Sequence, residues 1–111
     1  YFVGVDAIDQ RPDLLLSGDH NLGTGVNQTI RTSQFISAGT NSVWTANAIG
    51  WQDNNHAKVG NVCFADGSVQ NLDTDQFRAA LNKTGDTSRT AGVFALAPSS
   101  AGAGANRLQF P

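Results

Sequence analysis

Apolar and polar positions alternate at the start of the chain: in YFVGVDA, residues 1 to 7, Phe2 falls on one side and Val3, Val5 and Ala7 on the other. That period of two predicts a strand, and the Asp and Pro of the following AIDQRPD predict a turn. LLLSGD at 14 to 19 reads as a second strand. HNLGTGVNQ at 20 to 28 is loop-like, whereas TIRTSQFI at 29 to 36 is rich in β-branched residues and predicts a third strand. Gly39, Asn41 and Ser42 break the pattern before SVWTANAIGW, a further strand with Trp44 and Ile49 as packing residues.

HAKVGNVCFADGSVQNL, residues 56 to 72, carries the clearest local instruction. Asp66-Gly67 between two alternating runs predicts a hairpin with a two-residue turn of the kind that needs positive φ. That register sets Ala65 opposite Ser68, Phe64 opposite Val69 and Val62 opposite Asn71, and it gathers Val62, Phe64 and Val69 on one face. A sheet face of that type must be covered. In LDTDQFRAALNKTG, Asp73 is placed to cap a helix, Gln76 completes a capping box and Leu72 and Phe77 flank the cap as a hydrophobic staple. Phe77, Ala80 and Leu81 then recur at helical spacing up to Gly85, predicting one helix over 74 to 83. Beyond it, GVFALA at 92 to 97 reads as a strand, PSSAGAGA at 98 to 105 as a small-residue loop, and NRLQFP as a segment that pairs at a sheet edge.

The elements sum to an α+β fold: a small antiparallel β-sheet of five to seven short strands with one short helix packed beside a central hairpin, all in one domain over 1 to 111. Composition agrees, because nine acidic residues and twelve glycines stand beside many Asn, Thr and Gln, a mixture that favours turns and strands over long helices. A formal charge of -2 with seven dispersed cations leaves no basic stripe, which argues against nucleic acid as a partner. Cys63 is the single cysteine and reads, within VCFA, as a small buried hydrophobe. No stretch approaches the ~20 apolar residues that cross a bilayer. The opening on Tyr1, without methionine, predicts a segment upstream.

Three kinds of chemistry compete with a purely architectural reading. His56 and Asp66 form the first, yet ten residues of straight strand would hold them roughly 33 Å apart at ~3.3 Å per residue. His56 then serves better as a donor to a loop carbonyl, and Asp66 as an acceptor for turn amides. Ser68 lacks the strand-to-helix elbow of a nucleophile, and Cys63 is poorly placed relative to His56, so a small hydrolase using His56 is the weakest rival. The second is a calcium site through Asp19, Asp53 and Asn55, with His20, Asn54 and His56 nearby in sequence; the EF-hand spacing is absent. Zinc through His20 and His56 is less favoured still. A carbohydrate- or partner-binding platform of Phe35, Trp44 and Trp51 is the third, opposed by the tendency of strand aromatics to be core.

His56, nine intervening residues and then Asp66-Gly67 resemble the H-X9-DG motif of the prepilin-type, processing-associated domain of pilin- and pseudopilin-like proteins. HAKVGNVCFADGSVQNLDTDQFRAAL is similar to the surroundings of that motif, and NRLQFP resembles the ending of such chains. The resemblance implies the globular head of a type IV pilin or type II secretion pseudopilin whose leader and apolar amino-terminal helix are absent from this sequence. It implies a non-enzymatic, extracytoplasmic subunit that is anchored in the inner membrane only through the missing helix and assembles with itself or with other pilin-like subunits. His56, Asp66 and Gly67 would then be framework residues. Calcium remains the one cofactor that the resemblance keeps open.

Overall fold

In the computed structural model the described residues are 1–24, 35–37, 49–52, 57–85 and 106–110. They form eight strands and one helix: β1 (Phe2–Gly4), β2 (Leu15–Gly18), β3 (Leu22–Thr24), β4 (Phe35–Ser37), β5 (Ile49–Trp51), β6 (Val59–Phe64), β7 (Val69–Asp73), α1 (Thr74–Lys83) and β8 (Arg107–Gln109). Six strands make one sheet in the order β4-β8-β1-β2-β6-β7, and β3 pairs with β5 in a second. Every pairing is antiparallel. The α+β architecture expected from the sequence is therefore the one that forms. The hairpin β6–β7 is not central, however: β7 is an edge strand, and β1 and β2 occupy the middle.

Strand alternation explains which face is buried. Phe2, Gly18 and Val62 stand opposite one another, as do Leu15 and Phe64, and Gly4 and Leu108, so all of these share a face. Phe2, Leu15, Val62 and Leu108 are fully buried on it, together with Phe64 and Leu72. Val3 points the other way and is exposed. The run LLLSG fits an extra residue into β2, where the register shifts between Leu15 and Ser17; Leu16 is the bulged residue and is exposed.

α1 covers this face as its sequence dictates. Asp73 accepts a hydrogen bond from the Gln76 amide at 2.8 Å, and the Gln76 side chain accepts from the Asp73 amide at 3.0 Å, which completes the capping box. Asp75 in the first turn and Lys83 in the last match the helix dipole. Phe77 and Leu81, one turn apart, are fully buried, and Gly85 follows the last turn at φ 71°.

The helix also joins the two sheets. Thr74 Oγ1 accepts from the Trp51 amide at 3.1 Å and Arg78 Nε donates to the Ile49 carbonyl at 2.9 Å. These side chains, four residues apart on α1, satisfy the outer edge of β5. Trp51 packs on Phe77 with ring centroids 4.7 Å apart and lies over Gly60, where an added Cβ would come within 2.6 Å of the indole. No larger residue fits beneath that ring without displacing it.

Two sequence expectations change. HNLGT contains β3, because Leu22 pairs with Trp51 and is fully buried; a three-residue strand is too short to show a period of its own. NRLQFP forms β8, which pairs with β1 on one side and β4 on the other and is interior to the sheet. The strand expected over 92–97, the loop at 98–105, Trp44 and positions 29–34 lie outside the described residues.

Candidate functional site

The described half of the H-X9-DG motif sits at the tip of β6–β7. Gly67 N–H donates to the Phe64 carbonyl and Phe64 N–H to the Ser68 carbonyl, both at 2.9 Å. Residues 65 to 67 therefore form a three-residue loop, a turn followed by a glycine bulge at φ 82°. The expected two-residue turn is corrected by one position: Val69 pairs with Cys63, Gln70 with Val62 and Asn71 with Asn61. A slip of one residue reverses the face of every side chain on β7. Val69 is accordingly 67% exposed, and Leu72 joins Val62 and Phe64 in the core instead.

Asp66 serves its own turn, with Oδ1 accepting from the Ser68 amide at 2.8 Å. Hydrogen bonding by Ser68, from its side chain first and then its amide, holds the exposed Asp66 carboxyl below the usual carboxylate range. His56 lies outside the described residues. The next two residues, Ala57 (φ 49°) and Lys58 (φ 65°), are both left-handed, and the ladder begins only at Val59. The chain from 57 to 66 is thus not one straight strand. Its sharp turn is at 57–58, while Gly60 is a regular strand position beneath Trp51.

Between the hairpin and α1 runs a groove of about 700 Å³. Phe64, Leu72 and Ala80 line its apolar part, and Asp13, Asp66 and Lys83 are the charged residues along it. Arg11 grips Asp13 through two hydrogen bonds of 3.2 and 3.1 Å and donates to the Thr84 carbonyl at 2.7 Å, tying the first turn-forming loop to the end of α1. The Arg11 hydrogen bonds are the main reason that Asp13 also ionises below its usual range, with the charges of Arg11 and Lys83 adding to the effect. Both carboxylates are held charged. Neither is tuned as a proton donor near neutrality.

The remaining candidates are not brought together among the described residues. Cys63 is half-buried, its Sγ 3.6 Å from the Phe64 carbonyl, on the face opposite the core, in a row with Ser17 and Val69. The expectation of a small buried hydrophobe at Cys63 is corrected by that alternation. His20 is exposed and has its Nδ1 3.5 Å from the Tyr1 amine. Asp19 commits Oδ2 to Asn61, accepting from its backbone amide at 2.9 Å and its side-chain amide at 3.2 Å; Asp53 and Asn55 lie outside the described residues. No group of three metal-ligating side chains occurs among the described residues. Trp51 belongs to the core rather than to an aromatic platform, and the side chain of Phe35 is outside the described set.

The Arg11, Asp13 and Thr84 cluster was not legible in the sequence. RPD signalled only a turn, and nothing local states that residue 11 will meet residue 84. Comparison with family models, with curated proteins and with solved structures finds no match.

Proposed function

We infer that this chain is the globular head of a structural, pilin-like subunit, assembled with copies of itself or with related subunits into a type IV pilus-like fibre or a type II secretion pseudopilus. The observation that carries the reading is the role of Asp66 and Gly67. The carboxylate bonds the amide two residues on, and the glycine supplies the left-handed residue of the bulge. Both residues build a hairpin tip, which suits a motif that recurs for architecture and performs no reaction. The antiparallel sheet with a helix on one face supports it as a compact scaffold. No helix among the described residues is long and apolar enough to cross a membrane, so anchoring in this reading falls to a segment upstream of Tyr1, and the head works outside the cytoplasm.

The complete reading frame together with the location of its product tests this. A cleavable leader and an apolar helix of ~20 residues upstream, with the head recovered in the envelope or in sheared surface filaments, is the expected result. An upstream soluble enzyme domain and a cytoplasmic product would overturn the proposal.

A further inference from the structure

Among the described residues β7 ends the six-stranded sheet and pairs with β6 alone, over Val69–Asp73. The direction of its outer amides follows from its partner strand. Asn61, opposite Asn71, donates its amide to Asp19 Oδ2 at 2.9 Å and accepts from the Asp19 amide at 3.0 Å, so both of its peptide groups point away from β7. Opposed residues of an antiparallel ladder either exchange both bonds or turn away together. The N–H and C=O of Asn71 therefore face the open side. Phe64 bonds Ser68 at the next such position, which turns the peptide groups of Val69 outward as well. Val69, Gln70 and Asn71 are all exposed, Val69 by 67%.

Two of the four edge strands among the described residues are treated differently. Thr74 and Arg78 close β5, whereas β7 has no lysine, proline or bulge within Val69–Asp73 to discourage pairing. We propose that β7 is an interface for a second copy of this chain, joined antiparallel to its own β7 about a two-fold axis through Asn71.

Side-chain polarity selects a copy over an unrelated strand. Asn71 Nδ2 donates to Asn61 Oδ1 at 3.1 Å, and Asn61 Nδ2 donates in turn to Asp19 at 3.2 Å. This row of amides runs in one direction, and Asn71, its last member, has one side-chain N–H and Oδ1 that the row does not use. A two-fold mate presents the same donor and acceptor reversed and matches both. In that register Val69 lies opposite the second copy's Asp73, so no like charges face each other. The two Asn71 residues exchange backbone bonds, and each Val69 amide reaches the opposing Asp73 carbonyl. The Asp73 amide is already satisfied by Gln76 at 3.0 Å.

Sedimentation of the 111-residue chain and directed disulfide formation test the interface together. The mass is expected to double with concentration, and Val69→Pro, which removes an outward N–H without touching the β6 ladder, is expected to abolish the doubling. In a Cys63→Ser background, Asn71→Cys should cross-link under mild oxidation, since bonded antiparallel positions lie about 5.5 Å apart and within disulfide reach. Gln70→Cys, on the other face and off the axis, should not. A monomer at the highest soluble concentration, or equal cross-linking at both positions, overturns the proposal. The pairing stands apart from the filament reading: a monomeric head removes this interface and leaves cell fractionation to judge the filament, and the reverse also holds.

Discussion

Gly67 and Asp73 show how much a single residue decides. Gly67 occupies φ 82° with open space where a Cβ would be, so the cost of replacing it is backbone strain alone. Gly67→Val is expected to destabilise by upward of about 2 kcal/mol, because a β-branched residue resists the left-handed region. Asp73→Ala removes one capping interaction and is expected to cost ~1 kcal/mol; urea melts of the two variants check the order. Asp66 adds a dependence on pH. Its folded carboxyl is held below the unfolded value, so its contribution is complete above the ordinary carboxylate range and is lost as pH falls through the lowered folded value. Asp66→Asn should flatten the acid side of a plot of urea midpoint against pH, and an unchanged slope would count against the turn bond. Asp-Gly and the Asp-to-Gln capping spacing were legible because each acts within three residues of itself. The loop length was not, since a two-residue and a three-residue turn both accept Asp-Gly, and the choice is made by which strand face the core demands.

At the level of elements, α1 was legible from end to end. Cap, staple, periodicity and stop all lie in one contiguous stretch and agree. The small sheet was not. β3 and β5 are three residues each, and they are held by pairing with one another and by Thr74 and Arg78 from the helix. The stacking of Trp51 over Gly60 couples that sheet to the hairpin. Gly60→Ala is expected to cost about 1–3 kcal/mol through overpacking, and much less in a Trp51→Leu background. A double-mutant cycle in urea measures this, and additive losses would show that the ring is not what excludes the methyl group.

Across the whole molecule, the two ends of the chain are locked by one ion pair. Arg107 donates through Nε to both Asp6 oxygens at 3.0 and 2.8 Å and through its amide at 2.8 Å, with the arginine side chain only 5% exposed. Asp6→Ala or Arg107→Ala breaks a largely buried charge pair and is expected to cost about 3–5 kcal/mol, while the double variant loses clearly less than the sum. Thermal or urea unfolding of the three variants decides it. The sequence by itself determined what depends on neighbours: the existence of β1 and β2, the DG turn, the capped helix and the antiparallel α+β class. Only the tertiary structure decided the order of the strands, the edge position of β7, the outward face of Val69 and the meeting of residues 6 with 107 and 11 with 84. Strand order and register are choices among pairings that look alike locally, and the free-energy difference between them arises when a shared core has to be filled.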